Sequence, residues 1–238
     1  MATRSLPPGP NRRTAPAGGT PAAKAPVVAP HERAPERRKQ EILQAALIEF
    51  STRGFGGARI SEIIAHTNSN KSLIYSYFGS KEKLYIAVLE DQYARIRRAE
   101  QALRLADLPP VDAMRRLVRF TFQYYIENPH FVSIISNENL HQGRWLKRSD
   151  KAVAVNMPVI DACSAVLARG AREGVFRAGI DPVDLYLSIS GLGFIYVSNR
   201  HTLGIIFNRD LMAPATLRRR MQSIIEMVLR HVCVSPSG

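Results

Sequence analysis

Residues 70–78 read Asn70-Lys71-Ser72-Leu73-Ile74-Tyr75-Ser76-Tyr77-Phe78, and Gly79 follows. An Asn at the head of such a run can cap a helix, and a Gly behind it can end one. Ile74 and Phe78 are four apart, so on a helix they share a face and can root it in a small core. Lys71, Ser72, Tyr75 and Ser76 fall largely on other faces, where they can hydrogen-bond phosphates or bases. A short helix with an apolar root and a small, polar, cationic exposed face suits the DNA major groove. The same residues also fit an ordinary amphipathic surface helix, so the flanking sequence decides.

Upstream, helical periodicity begins near Pro35. Ile42, Leu43, Ala46, Leu47 and Phe50 recur at the spacing of one helix face. Gly54 fits a C-terminal stop, with Phe55 turning back into the core. Ser61 is expected to cap a second short helix, with Glu62 in its first turn and Ile60, Ile63 and Ile64 on its inner side. Asn68 suits a left-handed turn. Ser69 and Asn70 can cap the third helix, Gly79 ends it, and Ser80 caps a fourth. Three helices packed within about fifty residues, the second and third joined by a tight turn, form a helix-turn-helix arrangement.

From Thr67 to Tyr85 the chain resembles the TetR family of bacterial transcription regulators. The family pattern places a Lys early in the recognition helix, then Tyr-x-His/Tyr-Phe, then a Ser-Lys-Glu-x-Leu start to the next helix. Lys71, Tyr75, Tyr77, Phe78, Ser80, Lys81, Glu82 and Leu84 match it, and the likeness extends over residues 35–93. Two positions depart from it: Asn68 stands where the family often has Gly, and Ser69 replaces a common Val. The resemblance implies a DNA-binding role in which Ser61 contacts phosphate, and Lys71, Tyr75, Tyr77 and Lys81 clamp the backbone. Asn70, Ser72 and Leu73 are expected to face base edges. It also implies that the fourth helix links the DNA-binding domain to the rest, so that a ligand-induced tilt would change the separation of two recognition helices.

Tyr85, Leu89, Tyr93, Ile96, Ala99 and Leu103 keep that fourth helix apolar on one face, and Pro109-Pro110 is its expected stop. Further helices are expected over residues 111–126, from Asn128-Pro129 to near Gly143, and over residues 157–173. Another starts at Asp181-Pro182, and the last covers residues 215–232. Residues 185–197 are apolar nearly all round, with Gly191 and Gly193 inside, so this helix must be buried on every side. One side can face its own domain and the other a second subunit. The last helix carries Leu217, Met221, Ile224, Ile225 and Val228 on a broad face, with Arg218, Arg219 and Arg220 at a rim. A two-fold homodimer through these two helices is expected, as in the family, because two recognition helices need a fixed spacing to read a palindromic operator.

The candidate ligand-binding residues are Phe120, Tyr124, Phe131, Asn137, Glu138, His141, Trp145, Phe194, Tyr196 and Asn199, aromatic walls with a few polar groups. The run Asn137-Glu138-Asn139-Leu140-His141 resembles the C-terminal type of TetR-like regulators of pyrimidine or nicotinate catabolism. That likeness implies a small planar or carboxylated heterocycle as effector. Glu138 and His141 also form one Glu-x-x-His pair, whereas helical carboxylate-bridged metal sites need two. No metal, no cofactor and no catalytic residues are expected, and the chain shows no nucleophile elbow, phosphate loop or dinucleotide fingerprint.

Composition bounds the rest. The chain has 238 residues, 45% of them hydrophobic, a net charge of +13 and a pI near 10.3. That size supports a substantial core, and that charge points to polyanionic partners. Cys163 and Cys233 are the only cysteines, expected as small buried hydrophobes in a reducing cytoplasm. No apolar run reaches membrane-spanning length and no secretory leader is evident, so a cytoplasmic protein without a membrane partner is expected. Residues 1–33 are rich in Pro, Ala, Gly and Arg and are expected to be a disordered basic arm. Residues 34–80 then form the helix-turn-helix DNA-binding domain and residues 81–234 the helical ligand-binding and dimerisation domain, an all-α fold. The function expected is a homodimeric, ligand-modulated repressor that is not an enzyme. The rival readings are a sequence-neutral DNA-binding protein driven by the basic arm, and a helical metal-binding protein or enzyme.

Overall fold

The computed structural model describes Met1 and residues 30–67 and 69–234. Residues 2–29 of the expected arm, and the expected turn at Asn68, lie outside those. Ten α-helices and two short 3-10 turns make up the described chain: α1 (Pro30–Gly57), α2 (Ile60–Ala65), α3 (Lys71–Phe78), α4 (Lys81–Gln101), α5 (Pro110–Glu127), α6 (Pro129–Leu140), α7 (Ala152–Arg172), α8 (Pro182–Ser198), α9 (Arg200–Ile206) and α10 (Pro214–Val232). No strand occurs among the described residues beyond one isolated bridge, Phe176 with Cys233.

The expected cores are present, with revised edges. Ile42, Leu43, Ala46, Leu47 and Phe50 are buried in α1. The helix already begins at Pro30, so the last residues of the expected arm belong to it. Gly54 breaks α1 with φ 65°, a left-handed conformation that suits glycine. Beyond the break, Phe55 turns in to pack on Tyr85 and Trp145 at centroid distances of 5.4 and 4.3 Å. α4 stops at Gln101, well short of Pro109. Its last turn tightens through Leu103 N–H to Glu100 O and Arg104 N–H to Gln101 O, and Arg104 is left-handed at φ 51°. The chain then re-enters at buried Leu105. α7 starts before the expected Met157 and runs through Pro158, and α9 has no counterpart among the expected helices.

Two clusters of buried side chains organise these helices. The first joins Ile42 and Phe50 of α1, Ile63 of α2, and Ile74 and Phe78 of α3 to Leu84, Tyr85, Val88 and Leu89 of α4, with Ile134 and Trp145. The second joins Met114, Leu117, Phe122 and Tyr125 of α5 to Phe131, Val166, Leu185, Ile189, Ile224 and Val228. α4 runs from one cluster to the other: its first turns complete the first, and Ile96 belongs to the second. Cys163 and Cys233 are free and buried in the second cluster, and burial pushes the Cys163 thiol up to about 11.

α8 divides as a helix apolar on every side must. Asp181 caps it, accepting from Val183 N and Asp184 N at 2.8 and 2.9 Å. Leu185, Ile189, Gly193 and Val197 are buried, while Val183, Leu187 and Ile195 stand exposed. The two glycines differ. A Cβ at Gly193 would meet the Tyr125 ring at 3.2 Å, so this glycine serves close packing of α8 on α5 within the chain; Gly191 faces open space. Of the three arginines expected at a rim, Arg218 and Arg219 are exposed, but Arg220 turns inward to Leu192 O at 2.8 Å and lies over the Tyr196 ring.

Candidate functional site

α3 is seated as its sequence requires. Ile74 and Phe78 are buried, Asn70 Oδ1 accepts from Leu73 N at 2.8 Å, and Gly79 at φ 77° ends the helix. Ser80 starts α4 at once, accepting from Lys83 N at 3.1 Å. Outside this root, Asn70, Lys71, Ser72, Tyr75 and Ser76 are exposed, while Leu73 and Tyr77 are half-buried. Ser61 is also exposed, on α2. The helix start differs from expectation: Arg59, not Ser61, is the N-cap, and its N–H is taken by Glu49 Oε1 at 2.9 Å. That frees the Ser61 hydroxyl from a capping role. Lys81 departs further from expectation. Its Nζ donates to Ala58 O at 2.6 Å and lies 4.9 Å from the centre of the Phe55 ring. Desolvation lowers its pKa, with Glu49 opposing. Lys81 ties the start of α4 to the α1–α2 corner and does not extend along the surface with Lys71.

The ten candidate ligand residues are not gathered in one place. Asn137, Glu138, His141 and Trp145 lie where α6 and the turn after it meet the first cluster. Asn137 Nδ2 donates to Phe50 O and Ser51 O at 3.3 and 3.4 Å. Glu138 is buried, and its Oε1 accepts from Trp145 N and Leu146 N at 2.9 and 2.8 Å. Trp145 packs against Phe55 and Tyr85, and exposed His141 meets its edge at 5.1 Å. Asn137 thus ties α6 to α1, and Glu138 Oε1 holds the turn after α6, while Glu138 Oε2, Trp145 Nε1 and the Tyr85 hydroxyl are buried with no hydrogen-bond partner. Tyr196 donates to Leu211 O at 2.9 Å, and Asn199 is exposed at the end of α8. Phe120 stacks at a tilt on Tyr124, which meets Phe131 edge-on.

Phe131 and Phe194 do line a cavity, of about 480 Å³, between α4, α5, α6 and α8. Its other walls include Tyr93, Tyr125, Tyr186 and Arg97, residues outside the ten ligand candidates. A second cavity of about 260 Å³ lies beyond, lined by Glu100, Leu117, Val159 and Arg169, and Arg97 lines both. A buried polar triad forms the partition. Arg97 Nη2 donates to the Tyr186 hydroxyl at 2.7 Å, which donates to Glu100 Oε1 at 2.9 Å; Arg97 Nη1 lies 2.9 Å from Glu100 Oε2. That last contact is an ion pair without hydrogen-bond alignment, and Arg97 Nε is buried with no hydrogen-bond partner. Burial pushes the Glu100 carboxyl up to about 7, against the pull of Arg97 and the Tyr186 hydroxyl. The available signal was a charged pair, Arg97 and Glu100, beside the apolar stripe Tyr93, Ile96 and Ala99 of α4. A charged residue of that kind is buried only when paired. No group of His, Cys, Asp or Glu able to hold a metal occurs among the described residues.

Comparison with known proteins matches this arrangement in both halves. Residues 42–88 match the model of the tetR family of bacterial regulatory proteins, and residues 110–228 match a tetracyclin repressor-like C-terminal domain. The chain is 40% identical over 195 residues to the HTH-type transcriptional repressor NicS of Pseudomonas putida, covering 82% of this chain and 92% of that one. It is 31% identical over 186 residues to the HTH-type transcriptional regulator RutR of Escherichia coli K12, covering 78% and 83%. Among solved structures, a TetR transcriptional regulator from Chloroflexus aurantiacus shares the fold with a TM-score of 0.64 at 23% identity, over 85% of this chain and all of that one. Both halves are thus matched, and the chain belongs to the TetR family of transcription regulators, which are DNA-binding proteins and not enzymes.

Proposed function

We propose that this chain is a homodimeric repressor that reads a palindromic operator with α3 and releases or holds it according to a small effector bound between α4, α5, α6 and α8. The observation that carries this reading is α3 itself, whose Ile74 and Phe78 are buried while Asn70, Lys71, Ser72 and Tyr75 stand exposed. Lys71, Tyr75 and Tyr77 hold phosphates, with Ser61 of α2 beside them. Asn70, Ser72 and Leu73 meet base edges. This division follows the general rule that phosphate contacts position and base contacts specify. Lys81 is left out of the contact set because Ala58 O holds its ammonium.

The dimer is assigned to α8 and α10. The strip Val183, Leu187 and Ile195 is 46%, 61% and 56% exposed, and Met227 of α10 is 41% exposed. Such a stripe on a two-helix face suits an isologous contact. The effector is a small planar or carboxylated heterocycle, for which the aromatic walls of the larger cavity are suited. Phe131 and Phe194 remain in the effector set, and Tyr93, Arg97, Tyr125 and Tyr186 join it. The protein acts in the cytoplasm, where bacterial DNA lies, and no described helix is long and apolar enough to cross a membrane. A titration of the full chain against DNA from upstream of its own gene and a scrambled duplex, at two salt concentrations, tests the reading. A strong preference for the natural duplex is expected; equal affinity would leave the basic chain as a sequence-neutral binder.

A further inference from the structure

The larger cavity has aromatic walls and a single charged residue, Arg97, among the residues lining it. Arg97 is nine-tenths buried, its Nε has no hydrogen-bond partner, and its remaining donors are shared with Tyr186 and Glu100. An aromatic-walled cavity lined by a guanidinium with an unpartnered donor fits a ring that carries an anionic group, because Arg binds carboxylates through paired, planar hydrogen bonds. Glu100 already occupies that role from the far side, facing the smaller cavity.

We propose that the effector is an aromatic monocarboxylate that takes Arg97 from Glu100, and that Glu100 takes up one proton from solvent as it is displaced. The proposal rests on reading the larger cavity as the effector site. Its basis is a charge count in a buried place. Arg97 is the ion-pair partner of Glu100; a second carboxylate on Arg97 leaves two anions sharing that guanidinium, and closely spaced buried carboxylates do not both stay ionised. The proton has a seat on Glu100 Oε2, which has no hydrogen bond. The Tyr186 hydroxyl can go on donating to Oε1.

The groups around Glu100 leave it as the one that responds near neutral pH. Tyr186 of α8 and Tyr124 and Tyr125 of α5 are held neutral by burial. Arg169 of α7 donates from Nη1 and Nη2 to Ala106 O, Leu105 O and Leu108 O, and its Nε is buried with no hydrogen-bond partner. Arg104 is paired with Asp107 at 3.1 Å. Glu100 starts from a carboxyl already raised by burial, so the repulsion of a second carboxylate acts on a group that already favours its proton. The exchange happens on α4, whose other end starts directly after α3. Effector binding therefore alters the α4–α8 tie on the same helix that carries the recognition helix.

Calorimetric titration of the full chain at pH 8 and pH 9, in phosphate and in Tris, tests this. The probes are benzoate, pyridine-3-carboxylate and the two matching amides, and the proteins are wild type, Glu100→Gln and Ser190→Phe, the last filling the cavity from α8. The carboxylates are expected to bind at least about tenfold more tightly than the amides. Wild type is expected to take up close to one proton per carboxylate, seen as a buffer-dependent heat, with affinity falling by up to about tenfold per pH unit. Glu100→Gln is expected to bind the carboxylates with no proton uptake. Amides binding as well as carboxylates, carboxylates binding without proton uptake, or no carboxylate binding would each overturn the proposal. If amides bind equally and Ser190→Phe abolishes that binding, the cavity remains the effector site and only the exchange falls. Carboxylate binding untouched by Ser190→Phe would overturn both.

Discussion

Glu138 is the buried acceptor that holds the turn after α6 to the first core, and removing it gives the sharpest test of how that seam is built. Its Oε1 takes the backbone N–H of both Trp145 and Leu146, at 2.9 and 2.8 Å. Hydrogen bonds to a charged acceptor contribute about 1.5–3 kcal/mol each. Glu138→Ala also leaves the buried Trp145 N–H without a partner, so the expected loss is about 3–5 kcal/mol. At about 2–4 °C per kcal/mol for a chain of this size, the melting temperature should drop by about 10 °C. Glu138→Gln keeps an oxygen acceptor and should lose only about 1–2 kcal/mol. Trp145 is the only tryptophan, and it packs on Phe55 and Tyr85. Its fluorescence therefore reports this seam alone. Calorimetry and tryptophan emission together measure the effect. A Glu138→Ala chain melting within about 2 °C of wild type, with an unshifted emission spectrum, would refute the assignment of Glu138 as the structural pin and return it to the list of effector contacts.

Other outcomes follow from the same coordinates. Asn70→Ala removes the cap on Leu73 N and should cost about 1 kcal/mol, read by denaturant unfolding. Leu187→Glu places a charge in the exposed α8 strip and should turn the proposed dimer into a folded monomer in sedimentation equilibrium; an unchanged dimer would move the interface elsewhere. Gly170→Ala puts a Cβ into the Phe176 ring and should destabilise by about 1–3 kcal/mol. Burial raises the Glu100 carboxyl to about 7 from 4.5. The folded chain thus keeps this proton while the unfolded chain has already lost it, so Glu100 makes stability fall as pH rises from about 4.5 to about 7. Glu100→Gln should remove that component from a pH series of melting curves.

The DNA-binding half was legible because its signals are local. A cap, an i,i+4 apolar pair and a glycine stop all act within α3, and each occurs where its residue type requires. The tie from Lys81 to Ala58 O was not legible because that partner is twenty-three residues away, across a corner that no spacing rule covers. The effector half was harder for the same reason. Aromatic residues at helical spacing look alike whether they line a cavity or fill a core, and Asn137 proved to be tied to α1, Glu138 to the turn after its own helix and Trp145 to Tyr85 of α4. Arg97 and Glu100 carried a readable signal, two charges beside an apolar stripe, but their partner Tyr186 lies on a helix eighty-six residues further on. Helix ends set by tertiary contact rather than by capping residues, such as the end of α4 at Gln101, were likewise not legible.

The measurement that bears most directly on α3 as the reading element is the affinity of Lys71→Ala and Ser72→Ala for an operator and its single-base variants across a salt series. Lys71→Ala should weaken binding to all the duplexes alike and reduce the salt slope by about one unit, as a lost phosphate contact does. Ser72→Ala should change the ranking among the variants while leaving the salt slope in place. A uniform loss for Ser72→Ala together with an unchanged slope for Lys71→Ala would contradict the assignment of α3 to the groove.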